Sequence, residues 1–316
     1  MTHRFDPDAH LLDLATVSRE RMEVLLGRAE HYARGGTAPQ ALEGVAVCTL
    51  FFEPSTRTRL SFQLAAQRLG AHVLGFDVST SSASKGETDL DTLRTLEAMG
   101  VRGFVVRHGR EGAVRELAGR AGPRSALINA GDGRNAHPTQ GLLDMLTLRQ
   151  AKGTDLSGLK VLVVGDVRHS RVARSDLQGL RTLGVADIRV CAPPALLPGP
   201  EVLEGCQVVP VLDHALEGVD VVMLLRLQRE RMEEGTVESL DAYHHAYGLD
   251  ARRLALAAPG AVVMHPGPVN RGVEVTDEVA DGPQSLILRQ VANGVAVRMA
   301  VLEALLGGPQ PPHGLA

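Results

Sequence analysis

Residues 44–62 read GVAVCTLFFEPSTRTRLSF, and the change of pattern inside this stretch decides the fold. Gly44 to Phe52 is a short apolar, β-rich run bounded by a glycine and then by Pro54, which spells a buried strand. Beyond it, Leu60, Leu64, Ala65 and Leu69 fall on one face at helical spacing until Gly70 stops the pattern. The polar cluster Ser55, Thr56, Arg57, Thr58 and Arg59 therefore sits at a helix N-terminus. There the free backbone N–H groups and the positive end of the helix dipole favour an anion. Ser55 or Thr56 can cap, Thr58 adds a hydroxyl donor, and Arg57 and Arg59 offer planar forks suited to phosphate. A phosphate cradle is the functional reading, and an ordinary capped helix with solvated arginines is the plainer one.

The same rhythm continues on both sides of this stretch. Segments 45–52, 72–78, 103–107 and 126–129 read as strands, separated by helical stretches near 57–69, 88–99 and 111–120. A long helical pattern covers 137–149, and 151–158 is the most linker-like stretch in the middle of the chain. A second series follows, with strands at 160–167, 187–191, 207–211, 220–225 and 261–265. Alternating strands and helices imply parallel, doubly wound sheets. The expected fold class is α/β, with domains at 1–150 and 151–284 and a helix at 285–306 that packs back on the first and braces both.

Composition narrows the class. With 316 residues, 44% hydrophobic and 22% charged, the chain suits two globular domains with cores of their own. A net charge of −4 gives no support for nucleic-acid binding. No apolar run has the length of a membrane span and the first residues lack a secretory h-region, so a cytoplasmic enzyme is expected. Cys48, Cys191 and Cys206 lie far apart, as small buried hydrophobes do, and His244-His245 has no third ligand at usable spacing. Neither a metal nor another cofactor is expected. Lysine is rare, only Lys85, Lys152 and Lys160 among 33 basic residues, which draws notice to Lys85 in a polar loop.

In open α/β sheets ligands bind beyond the carboxyl ends of strands, and each such end carries polar chemistry here. The cluster at 55–59 follows the first strand, the loop 79–88 the second, Arg107-His108 the third, and 131–140 the fourth. His137, before a proline-started helix, is either a local structural histidine or a donor to a carbonyl. Gln140, one turn on, could accept from an amide. In the second series, 165–171 reads GDVRHSR after a strand but lacks the GxGxxG of a dinucleotide loop. Arg171 and Arg226 offer guanidinium groups for carboxylates, with surface ion pairs as the alternative.

The motifs FEPSTRTRL (52–60), SKGE (84–87), NAGDG (129–133), HPTQ (137–140), RLQRER (226–231) and HPGP (265–268) closely resemble the aspartate/ornithine carbamoyltransferase family, over nearly the whole chain. The first motif is common to that family. SKGE and HPGP point to its aspartate-specific branch, because ornithine-specific relatives lack that lysine and carry a His-Cys-Leu-Pro motif. The resemblance implies transfer of the carbamoyl group of carbamoyl phosphate to the amine of L-aspartate, in pyrimidine synthesis. It implies a carbamoyl-phosphate-binding domain at 1–150 and an aspartate-binding domain at 151–284. By the same resemblance, Ser55, Thr56, Arg57 and Thr58 hold the phosphate, and Arg107 reaches phosphate and carbonyl. His137 joins Arg107 and Thr58 in polarising the carbonyl oxygen, and Gln140 fixes the carbamoyl nitrogen. Arg171, Arg226 and Gln228 bind the carboxylates of aspartate. The Gly267 carbonyl contacts substrate next to Pro268, across a bond that is a candidate for the cis form, although regulated relatives have leucine at position 267. Ser81 and Lys85 enter from a neighbouring subunit, so a homotrimer is implied. The segment 268–274 is more like that of bacterial members without a zinc-binding regulatory chain, some of which associate with dihydroorotase. Ornithine as the acceptor, or a phosphate-binding sensor that has lost catalysis, are the rival functions.

Overall fold

The computed structural model of the chain describes residues 9–77, 86–228 and 239–308. Its first half runs α1 (Arg19–Ala33), β1 (Ala46–Phe51), α2 (Thr56–Arg68), β2 (His72–Asp77), α3 (Asp89–Ala98), β3 (Val101–His108), α4 (Ala113–Ala118), β4 (Ala126–Asp132) and α5 (Pro138–Lys152). The second runs β5 (Lys160–Val164), α6 (Arg171–Thr182), β6 (Asp187–Cys191), β7 (Gln207–Val208), α7 (Leu212–Leu216), β8 (Val221–Leu224), α8 (Leu240–Tyr247), α9 (Ala251–Leu254), β9 (Val262–Met264), α10 (Asp277–Ala280) and α11 (Ile287–Leu306).

Both sheets are parallel throughout. Strand order in the first is β2-β1-β3-β4 and in the second β7-β6-β5-β8-β9. This bears out the α/β reading. Parallel strands are covered on both faces, and so β4 and β8, buried at every position, are near-continuous apolar runs rather than alternating ones. Leu50, Leu93, Phe104, Val106 and Leu127 centre one core; Leu162, Val164, Leu216, Val222 and Val263 centre the other. In each sheet the chain first winds outward one way and then returns to the other side of its starting strand. The reversal falls between β1 and β3 in the first sheet and between β5 and β8 in the second. Such switch points open a crevice at the strand ends where a ligand fits.

Local signals set the helix starts. Thr88 forms a capping box with Asp91 before α3, and Ser170 and Asp250 cap α6 and α9 through their side chains. Pro138 opens α5, where its missing N–H costs nothing. The described residues fall into two compact units. One comprises those up to Leu12, Glu23–Gly133 and those from Val295; the other comprises Asp13–Met22 and Arg134–Gly294.

Helix α11 contributes residues to both. In the first unit its Glu303 takes both arms of Arg28, at 2.6 Å each, and accepts the Tyr32 hydroxyl at 2.8 Å. In the second unit α5 lies close against α6 because Gly141 permits it. A Cβ at Gly141 would meet Leu14 Cδ1 at 2.7 Å and the Ser175 carbonyl oxygen at 3.0 Å. No helix among the described residues is long and apolar enough to cross a membrane.

Candidate active site

At the switch point of the first sheet, β1 hands over to α2 through Ser55. Ser55 takes the N-cap position with extended backbone, yet its side chain makes no capping bond. Thr56 and Arg57 are exposed on the first turn, and Thr58 is buried beneath them. Arg107, one position from the end of β3, is buried at 9% exposure, and its fork is braced on two sides. Its Nη1 donates to the Ala130 carbonyl at 3.2 Å and its Nη2 to Glu53 Oε1 at 3.1 Å. Phe52 N–H donates to the Arg107 carbonyl at 2.8 Å, which ties the cradle segment to β3. Five of the residues singled out in the sequence therefore gather at one crevice: Ser55, Thr56, Arg57, Thr58 and Arg107. Hydroxyls, guanidinium groups and a helix N-terminus together form a set suited to a phosphoryl group.

In the second unit His137 is the N-cap of α5, held by its backbone N–H donating to Ser175 Oγ at 2.9 Å. Gln140 lies on the first turn, and its Nε2 sits 3.2 Å from each carboxylate oxygen of Asp144. Beyond β5 the loop is organised by Asp166. Its Oδ1 accepts from His169 N–H at 3.2 Å and faces His169 Nδ1 at 2.9 Å; its Oδ2 accepts from Gln228 N–H at 3.4 Å. Gln228 Nε2 returns a bond to the His169 carbonyl at 3.1 Å. Burial pushes the Asp166 carboxyl above the ordinary carboxylate range, while His169 pulls it the other way. The loops bearing Arg171 and Arg226 are thereby laced together at the ends of neighbouring strands, with Arg171 buried and Arg226 half-buried.

After β9, the Gly267–Pro268 bond is cis, and Gly267 takes a φ of 65°, where a side chain would be strained. Its N–H donates to His265 Nδ1 at 2.8 Å. Glu274, 2% exposed, joins this loop to Arg226 and Gln228. It accepts from Leu227 N–H at 2.8 Å, from Asn270 N–H at 2.7 Å and from Asn270 Nδ2 at 2.6 Å. Burial raises its carboxyl as well, against those three donors.

Ser81, Lys85 and the 229–231 end of the RLQRER motif lie outside the described residues. Sequence reasoning missed Glu53, Asp144, Asp166, Glu274 and Gln290, none of which points to chemistry when read alone. Asp144 was open to detection, because it lies one helical turn from Gln140. Glu274 was not, since its partner Leu227 is 47 residues away.

Charged and polar side chains gathered where the strand order of two parallel sheets reverses define an α/β enzyme acting on small anions. The description "Aspartate/ornithine carbamoyltransferase, carbamoyl-P binding domain" fits residues 9–150, and "Aspartate/ornithine carbamoyltransferase, Asp/Orn binding domain" fits residues 157–305. The chain belongs to the aspartate/ornithine carbamoyltransferase family, as its motifs led us to expect. It is 69% identical over 303 residues to the aspartate carbamoyltransferase catalytic subunit of Stenotrophomonas maltophilia K279a, covering 94% of this chain and 96% of that one. Identity to the corresponding subunit of Xanthomonas oryzae pv. oryzae MAFF 311018 is 66% over 313 residues, covering 97% and 99%. Among solved structures, aspartate transcarbamoylase from Trypanosoma cruzi, in complex with carbamoyl aspartate and phosphate, superposes with a TM-score of 0.83 at 31% identity, covering 97% of this chain and all of that one. Ornithine carbamoyltransferase from Thermus thermophilus gives 0.84 at 28% identity, covering 94% and 99%.

Proposed function

We propose that the chain transfers the carbamoyl group of carbamoyl phosphate to the amine of L-aspartate, giving N-carbamoyl-L-aspartate and phosphate for pyrimidine synthesis. Carbamoyl phosphate is a mixed anhydride, already activated, so no covalent nucleophile is needed. The amine nitrogen attacks the carbamoyl carbon, the bond to the phosphate oxygen breaks, and the amine loses a proton. Catalysis then consists of orienting two anions and stabilising charge on a tetrahedral centre. Ser55, Thr56, Arg57 and Thr58 hold the phosphate, and Arg107 bridges phosphate and carbonyl. His137 polarises the carbonyl oxygen with Arg107 and Thr58, and Gln140 takes the carbamoyl nitrogen. Arg171, Arg226 and Gln228 take the carboxylates of aspartate, beside the Gly267 carbonyl and Pro268. Residues 1–150 serve carbamoyl phosphate and 151–284 serve aspartate.

The observation that carries this reading is the placement of Arg171 and Arg226 beyond adjacent strands of the second sheet. Aspartate brings two carboxylates to those cations, whereas the side-chain ammonium of ornithine would meet like charge. Overall fold does not separate the two acceptors, since the aspartate and ornithine enzymes superpose equally well. A carbamoyl-transfer assay with the two amino acids in parallel decides it: carbamoyl aspartate should form, and a preference for ornithine would overturn the reading.

The proposal includes a homotrimer in which Ser81 and Lys85 come from a neighbour, an assembly that works in the cytoplasm and docks with dihydroorotase. Inactive Lys85→Ala and Arg57→Ala chains, dissociated and reassembled together, should then recover activity that neither has alone. Verified hybrids as inactive as the parents would rule out the shared site. Co-purification with dihydroorotase tests the docking.

A further inference from the structure

Helix α5 carries Gln140 and Asp144 one turn apart, and Asp144 is 1% exposed. Three side chains converge on its carboxylate. Gln140 Nε2 lies 3.2 Å from both oxygens, and Gln290 Nε2, from α11, donates to Oδ1 at 2.7 Å. Asp176, from α6 and 2% exposed, lies beside it. Gln290 is itself fixed, its Oε1 accepting from His265 N–H at 3.0 Å.

Two carboxyl groups in buried contact share one proton, because both cannot ionise. Burial first, then the charge of Asp144, pushes the Asp176 carboxyl well above the ordinary carboxylate range. Amide NH2 groups face both oxygens of Asp144, so Asp144 is the accepting member of the pair and the shared proton falls to Asp176. An amide facing a carboxylate must offer its NH2. Gln140 is therefore turned with Nε2 toward Asp144, which leaves Oε1 to face the other way. That Oε1 accepts no hydrogen bond among the described residues.

We infer that Asp144, held by Gln290 and Asp176, is a positioning residue that locks the Gln140 amide so that it presents an acceptor to the NH2 of the carbamoyl group. The inference rests on the role proposed above for Gln140. It makes Asp144 a specificity device, since a carbamoyl nitrogen is a donor and a group of similar shape lacking N–H has nothing to give Oε1. Without the carboxylate, the amide turns over and offers NH2 to NH2.

Acetyl phosphate, with a methyl group in place of NH2, tests this as a competitor in the transfer assay. The KM for carbamoyl phosphate and the inhibition constant for acetyl phosphate are measured together in each variant. Asp144→Asn should raise the first by about tenfold or more, the cost of one lost hydrogen bond and one mismatched dipole, and move the second less than about threefold. Gln140→Ala should do the same, and the double variant should be no worse than Gln140→Ala, because the two residues act as one unit. If Asp144→Asn does not fold, Asp144→Ala, which a helix accepts best, is read in the same way. Loss of discrimination in Gln140→Ala but not at Asp144 overturns this inference alone. No change in Gln140→Ala overturns the reading of Gln140 and the inference with it. Equal weakening of both phosphates at Asp144 marks a merely structural role and also overturns it.

Discussion

The switch points of the two sheets solve the same geometric problem with different materials. In the first, four consecutive residues of a helix start offer the donors proposed for phosphate, and one carboxylate, Glu53, braces Arg107. In the second, the placement of half-buried Arg226 and Gln228 depends on buried carboxylates, Asp166 and Glu274, that staple together loops from β5, β8 and β9. A phosphate is nearly symmetric and accepts from any direction, so backbone N–H groups and hydroxyls in a short run suffice. An amino acid with two carboxylates has a fixed span and handedness, and matching it takes cations held at separate strand ends by rigid supports.

Substitutions should separate the two regions. The largest effect is expected at Arg107, which the proposal sets against the reacting carbonyl and which braces itself on Glu53. Arg107→Ala should cost about 5 kcal/mol of transition-state stabilisation, read from kcat/KM, the upper end for breaking a buried, hydrogen-bonded charge pair. Arg107→Lys should recover little of it, because an ammonium cannot bond Ala130 and Glu53 as a planar fork does. Steady-state kinetics check both, and near-wild-type turnover in either variant would remove Arg107 from the mechanism.

Arg226→Ala should cost roughly 2–5 kcal/mol of transition-state stabilisation and appear in the dependence on aspartate, with carbamoyl phosphate binding nearly unchanged. If affinity for both substrates fell together, the division of labour between the two switch points would be wrong. Gly141→Ala should leave the first unit's chemistry alone and destabilise by about 1–3 kcal/mol, as a Cβ forces Leu14 and the Ser175 backbone aside. Its denaturation midpoint should fall, and an unchanged midpoint would show that α5 and α6 have room to spare.

The smallest effect belongs to Glu303, whose carboxyl is held below the ordinary glutamate value mainly by the Arg28 guanidinium. A depressed value means the stabilisation is present above pH 4.5, the unperturbed value, and is lost as pH falls through the folded one. Because Arg28 is 39% exposed, the pair should be worth under about 1 kcal/mol. Glu303→Gln should therefore lower the urea midpoint slightly at neutral pH and converge with the parent in acid. A gap that widened in acid would reverse the assignment.

The difference between the regions also explains what could be read from the sequence. The strand and helix series were legible because their apolar patterns are local, and the first switch point was legible because its residues are consecutive. Arg171 and Arg226 were visible as cations after strands, yet nothing nearby announced Asp166 or Glu274 as what ties their loops together. A buried carboxylate that satisfies N–H groups from another loop carries no local signature, since its meaning lies in partners dozens of residues away. Asp144 stands between these cases, with one partner a turn away on its own helix and the others on α6 and α11.

Ser55 has a consequence of another kind. A helix start whose N-cap hydroxyl makes no capping bond forgoes about 1 kcal/mol that such a bond would give, and a phosphate bound there as proposed would restore it. Occupancy and local order are then linked by mass action, so phosphate in large excess over its dissociation constant should slow amide hydrogen exchange across the first turn of α2. On the proposed site the phosphate product should therefore also stabilise the protein, and resistance to proteolysis at this turn should rise and fall with the supply of substrate.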